Sequence, residues 1–199
     1  YGENIAMYVS EVAFWTHRAL WQLLFSGKFD KFSGLKYCVV ECGSWWVGDL
    51  LWKADVNFGA SWKIKKMSSR MKGLLTKLPS EYFGDSVFIG ASTMSRYEIR
   101  ERHRNGIDAL MWGTDYPHPE GSWPNTVHRL ENDFQDVSIE DTRRLLGLNA
   151  IECYDLDVEG LTTVANRIGP TPEKLNQDPS LRTSPTAKRD ARWWFDEYG

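Results

Sequence analysis

Met111-Trp112-Gly113-Thr114-Asp115-Tyr116-Pro117-His118-Pro119-Glu120-Gly121-Ser122-Trp123-Pro124 decides how the rest of this chain is read. A short apolar run, Ala109 to Trp112, passes through Gly113 onto an aspartate. A loop stiffened by prolines then carries a histidine and a glutamate. That order is how a buried parallel strand delivers a carboxylate to the rim of an α/β sheet. Ligand and catalytic groups collect there, just beyond the C-terminal strand ends.

Working outward, two more short apolar runs read as strands, 35–41 and 86–90, with the third at 109–113. Helical spacing of Val12, Trp15, Ala19, Leu20, Leu23 and Leu24 predicts a helix over 11–25 that Gly27 ends. A second helix is predicted from Ser44 to Phe58 with Trp46, Leu50 and Ala54 on one face, and a helical or irregular stretch over 62–77. A third covers 95–104. After the Asp115 loop, Ser122 is read as a cap with Pro124 in the first turn, and Val127, Leu130 and Phe134 facing inward. Ser138 with Asp141 reads as a weak capping box for a helix ending near Gly147. Strand and helix alternating at this pace imply right-handed βαβ units and a parallel sheet. From about Val158 the composition changes: Pro170, Pro172, Pro179 and Pro185 fall here, residues 170–192 are expected to be extended or mobile, and Trp193-Trp194-Phe195 lie near the end. The expected division is therefore 1–157 and a proline-rich extension, 158–199.

The wording of several segments resembles the amidohydrolase-related TIM-barrel family, which includes the aminocarboxymuconate-semialdehyde decarboxylases. The Asp115 segment resembles the last-strand motif of that family. Gly27 to Lys36 with its Phe29 and Phe32, the strand Tyr37 to Glu41 followed by Cys42-Gly43, and Leu78-Pro79-Ser80-Glu81-Tyr82-Phe83 before Val87-Phe88-Ile89-Gly90 resemble its sixth and seventh strands and their lead-ins. Leu148-Asn149-Ala150 and Tyr154 resemble its closing helix. The resemblance, over roughly Gly27 to Pro172, implies the C-terminal part of a (β/α)8 barrel, about strands six to eight. Family members carry a His-x-His pair on the first strand and a histidine on the fifth. The histidines here are His17, His103, His118 and His128, without such a pair. A complete barrel needs about 250 residues, and this chain of 199 starts at Tyr1. It is read as the C-terminal part of a longer protein.

What the resemblance implies for function is a metal-dependent hydrolase or non-oxidative decarboxylase of a small carboxylated or aromatic molecule, with zinc as the expected divalent metal. Asp115 would ligate the metal and accept a proton; such an ion lowers the pKa of bound water toward about 7. The alternative for Asp115 is a turn aspartate before a helix. Glu41 stands where decarboxylases of the family carry a histidine. It can act as a base or an oxygen ligand, or simply pair with a backbone N–H or an arginine. His118 is read as a substrate contact or as a group behind a metal ligand, or as a loop histidine bonded to backbone. Trp123 and Glu120 are read as lining the mouth. His17, His103 and His128 are read as surface groups on helices. With Asp115 as its one carboxylate ligand and no histidine ligand, the chain alone is expected to hold zinc weakly and to be inactive. The rival reading is a non-catalytic remnant or partner-dependent interaction module.

Composition narrows the remainder. The hydrophobic fraction of 42% with ten tryptophans suffices for a core. A net charge of −3 gives no bulk attraction to nucleic acid, and Lys63, Lys65, Lys66, Arg70, Lys72 and Lys77 read as a solvated helix face that could also steer an anion. No run of about 18 apolar residues is present, so no membrane span is expected. Cys38, Cys42 and Cys153, without Cys-x-x-Cys, suit free thiols in a reducing cytosol. Alternation along the strand puts Cys38 and Cys42 on one face, opposite Val39 and Glu41, as small core residues under helices. The expected partner is a small-molecule substrate, with the terminal aromatics docking on a neighbouring surface, a second subunit of a homodimer included.

Overall fold

The computed structural model describes residues 2–60 and 73–175. Helix α1 (Gly2–Phe25) and the single turn α2 (Lys28–Lys31) precede strand β1 (Tyr37–Val40) and helix α3 (Val47–Ala60). A 3-10 turn at Pro79–Tyr82 leads into β2 (Val87–Gly90), α4 (Arg96–Arg100) and β3 (Leu110–Met111). Then follow α5 (Thr126–Asp133), α6 (Ile139–Arg143), a π-helical turn (Arg144–Leu148), α7 (Asn149–Tyr154), α8 (Val158–Ile168) and α9 (Pro172–Leu175). No helix among the described residues is long and apolar enough to cross a membrane.

The three strands pair in the order β1-β2-β3, all parallel, with Tyr37 opposite Val87 and Gly90 opposite Met111. Both faces of such a sheet are apolar because helices or other layers cover them. On one face Val39, Val87, Ile89 and Leu110 join Leu20 and Leu24 of α1, Val47 and Leu51 of α3, Ile99 of α4 and Leu130 of α5 in the main core. On the other, Phe88 and Met111 pack with Cys38, Ala150 and Cys153. Gly27 ends α1 as expected: it sits at φ 68° and its N–H donates to the Leu24 carbonyl at 3.1 Å.

Several local expectations need correction. Helix α1 starts at Gly2 rather than near 11, and its N-terminal half exposes Ile5, Tyr8 and Val9. Cys38 and Cys42 lie on opposite sides of the sheet, because Glu41 adopts the left-handed conformation (φ 57°) and breaks the two-residue alternation. Cys42 enters the main core while Cys38 stays on the α7 side. Ser122 does not cap a helix: α5 begins at Thr126 after Asn125, and Ser122 closes the preceding loop through its N–H to the Thr114 carbonyl at 2.9 Å. Val127 is exposed while Leu130 and Phe134 are buried. Ser138 does cap, its hydroxyl accepting from the Asp141 N–H at 3.1 Å, but the helical path continues past Gly147 to Tyr154. Pro172–Leu175 is a helical turn rather than an extended segment, and Leu175 returns to the core. Lys63 to Lys72 of the basic cluster, the predicted stretch 62–72, and the terminal aromatics lie outside the described residues.

Asn149 shows how α7 fixes β3. Its buried amide nitrogen donates to the Ile107 and Leu110 carbonyls, both at 2.7 Å. Asn149→Ala leaves both carbonyls without that donor and is expected to lower stability by about 2–3 kcal/mol, read from the shift of the denaturant midpoint.

Candidate functional site

The three strands exit at one end of the sheet, and each exit carries a non-glycine residue in the left-handed region: Glu41 at φ 57°, Ser92 at φ 52° and Asp115 at φ 59°. A left-handed L-residue costs about 1–3 kcal/mol where surrounding structure enforces it, and such residues cluster at functional sites. Enforcement here comes from the backbone. The Glu41 N–H donates to Gly90 O at 3.0 Å, the Ala91 N–H to Met111 O at 2.9 Å, and the Gly113 N–H to Ser92 O at 3.0 Å. Each strand end thus holds the next, and the turns aim their side chains into a shared space.

That space is a cleft of about 320 Å³ lined by Glu41, Gly43, Ala91, Ser92, Thr93, Glu98, Asp115, His118 and Glu120. A larger hollow of about 650 Å³ lies at the other end of the strands, beside Asp49, Trp52, Asp55, His103, Arg104 and Asp108. Its charged groups already have partners: Arg104 pairs with Asp49, His103 Nε2 with Asp141 at 3.1 Å, Arg144 with Asp108 at 2.6 Å, and Asp55 accepts from the Ser80 N–H. Chemistry therefore favours the smaller cleft over the larger one.

The Asp115 loop is wound tightly. The His118 N–H donates to Asp115 O at 2.8 Å and the Gly121 N–H to His118 O at 3.0 Å. A Cβ at Gly121 would stand 2.9 Å from the Thr114 and His118 carbonyl oxygens, so only glycine fits there. The winding brings His118 Nδ1 within 2.8 Å of Glu120 Oε1. That hydrogen bond and the Glu120 charge push the His118 imidazole above its ordinary value, with Asp115 and Glu41 adding to the effect. Glu120 moves the opposite way, held down by its own backbone N–H and by His118. Donor atoms of Asp115, His118 and Glu120 all lie within 4.8 Å of one another. An imidazole with carboxylates is a donor set suited to a divalent transition metal.

The structure therefore brings Glu41, Asp115 and His118 into one cleft. His118 and Glu120 stand beside Asp115, so the described residues offer one imidazole and two carboxylates where the sequence reading counted a single carboxylate. Trp123 is not among the residues lining the cleft. It is exposed on the same loop, edge-on to Tyr116 with ring centroids 5.7 Å apart.

Sequence reasoning missed Glu98. This buried carboxylate accepts from the Ser44 N–H and, at 3.1 Å, from the Ser44 hydroxyl. Its second oxygen accepts from the N–H and the hydroxyl of Ser95, both at 2.9 Å. Glu98 thereby ties the loop after β1 to the loop after β2 across the back of the cleft. Half of this was readable as the capping box Ser95-x-x-Glu98; the Ser44 half joins residues 54 positions apart and leaves no local pattern. Thr93 is held similarly from behind, its carbonyl accepting from Arg129 Nη2 at 3.4 Å, while Arg129 pairs with the buried Asp133.

Comparison with known proteins bears on the fold and the family. Curated proteins give no match. Among solved structures, the fold is similar to that of 5-carboxyvanillate decarboxylase from Sphingomonas paucimobilis, at 22% identity and a TM-score of 0.51. The likeness covers 68% of this chain but only 38% of that one, so the chain spans well under two thirds of its neighbour. The three-stranded parallel sheet with its helices corresponds to part of a TIM-barrel-type fold. The family model described as amidohydrolase matches residues 12–156, from the middle of α1 to beyond the end of α7. With so much of its length inside that pattern, the chain belongs to the amidohydrolase family.

Proposed function

We propose that this chain supplies the Asp115 side of a divalent-metal site in a TIM-barrel enzyme that hydrolyses or non-oxidatively decarboxylates a small carboxylated aromatic substrate. The observation that carries the reading is the convergence of Asp115, His118 and Glu120 at a cleft built from three strand ends. These three residues would hold the ion, with zinc the best match to one imidazole and two carboxylates. A cation bound there would supply Lewis-acid polarisation of a substrate oxygen.

The chain's own groups do the rest. Asp115 accepts a proton on its free carboxylate oxygen, and Glu41, lining the same cleft from the end of β1, is a second base. Glu98 keeps both loops in place while the acids work. The exposed Tyr116–Trp123 pair offers a planar ring an edge or face to stack against. The structural neighbour is by its name a decarboxylase of a carboxylated aromatic, which supports that substrate class. We assign β1 to β3 to the sixth to eighth barrel strands, with the barrel part ending near residue 157 and the extension covering 158–199. Turnover belongs to the barrel as closed by its remaining strands; metal binding is what this chain contributes.

The test is a zinc titration of the chain near neutral pH, followed on the imidazole resonances of His118. One equivalent is expected to shift them. No response in excess zinc would defeat the reading and favour the non-catalytic interaction module. The pH dependence has a definite sign. Zinc must displace the His118 proton, and Glu120 retains that proton above the ordinary value of 6.5. Apparent zinc affinity is therefore expected to keep rising as pH climbs past 6.5. In metal-free Glu120→Gln, the His118 titration measured by NMR is expected to fall back toward 6.5.

A further inference from the structure

On the sheet face away from the main core, Cys38 of β1 packs against Cys153 of α7, beside Phe88 and Met111. The Tyr154 hydroxyl donates to Cys38 Sγ at 3.5 Å, and Cys153, the residue before Tyr154 in the helix, belongs to the same packed cluster as Cys38. Cys38 is half-buried, whereas Cys153 is buried and its thiol is pushed up to about 12 by desolvation and by the Cys38 sulfur. The two thiols are thus unequal in access: Cys38 is partly open to solvent, whereas Cys153 is shielded. Cys42, in the main core on the opposite side of the sheet, is not part of this group.

We propose that Cys38 and Cys153 form a redox-responsive pair, in which Cys38 is oxidised first by a peroxide and Cys153 resolves it to a disulfide clasping β1 to α7. The Cys38 thiolate attacks one peroxide oxygen. The S–O bond forms, the O–O bond breaks, and the departing hydroxide takes up a proton as water. The Cys153 sulfur then attacks the Cys38 sulfur; the S–S bond forms, the S–O bond breaks, and the oxygen leaves as a second water carrying the Cys153 proton. Two thiols lose two electrons and two protons, and one peroxide becomes two waters.

The clasp sits close to the cleft. Cys38 lies three residues before Glu41, and α7 is continuous with the π-helical turn whose Leu145 carbonyl accepts from the Trp112 N–H of the third strand's exit. Oxidation would therefore tie together the supports of the two outer strands. This proposal does not depend on the metal reading.

The test is non-reducing peptide mapping by mass spectrometry of the 199-residue chain after hydrogen peroxide treatment. The expected result is a linked Cys38–Cys153 peptide pair lighter by two hydrogens, with Cys42 still fully alkylated. In Cys153→Ser, dimedone is expected to trap a sulfenic acid at Cys38 and no intramolecular disulfide should form. Wild-type chain in which Cys153 remains alkylatable after peroxide, or in which Cys38 links to Cys42 or only to a second molecule, would overturn the proposal. The wild-type mapping decides the matter even if the Cys153 variant folds poorly.

Discussion

Glu98→Ala is expected to lower the stability of the domain by about 4 kcal/mol, because the buried Ser44 N–H, the half-buried Ser95 N–H and two hydroxyls lose a charged acceptor at once. Glu98 is buried at 7% exposure, and its carboxylate is the tie between the Ser44 and Ser95 loops. Ser44 is fully buried, so its donors retain their desolvation cost when Glu98 is removed. For a domain of this size the melting temperature should fall by about 8–16 °C. Glu98→Gln keeps one acceptor oxygen and should fall between wild type and Glu98→Ala. Thermal unfolding by circular dichroism reads the series. A melting temperature unchanged in Glu98→Ala would mean that the two loops are held by other contacts.

Asp115→Asn should weaken zinc binding by at least about 100-fold, a larger loss than is typical for groups that merely support a ligand. Asparagine is the informative substitution because Asn, like Asp, enters the left-handed region at small cost. Asp115 sits at φ 59°, so alanine would add backbone strain to the loss of charge. With asparagine the loop should hold its shape, and the melting temperature should stay near wild type while affinity collapses. Calorimetric titration of both proteins separates the two effects. Equal zinc affinity in wild type and Asp115→Asn would remove Asp115 from the site.

Much of this arrangement was legible in the chain because strand cores and punctuation are local. The apolar runs at 37–40, 87–90 and 110–111, and the Gly113-Thr114-Asp115 exit, followed from hydrophobic pattern and turn chemistry. What stayed hidden depends on contacts distant in sequence or on backbone choices that side-chain periodicity does not encode. The left-handed turn at Glu41 reversed the face of Cys42, which alternation alone had placed beside Cys38. Ser122 had the chemistry of a cap, but its N–H was drawn to Thr114, and the helix began four residues later. Glu98 shows no local sign of its role beyond Ser95, because its other partner, Ser44, comes from the loop after a different strand. His118 and Glu120 were read one at a time; their approach to Asp115 depends on the tight winding that Gly121 permits.

The measurement that bears most directly on the central claim is anomalous diffraction from a crystal of the full chain grown with zinc. The account expects one strong peak within bonding distance of Asp115, His118 and Glu120, about 2.0–2.2 Å from their donor atoms. A cleft without a peak, or zinc bound at Cys38 and Cys153 instead, would contradict it.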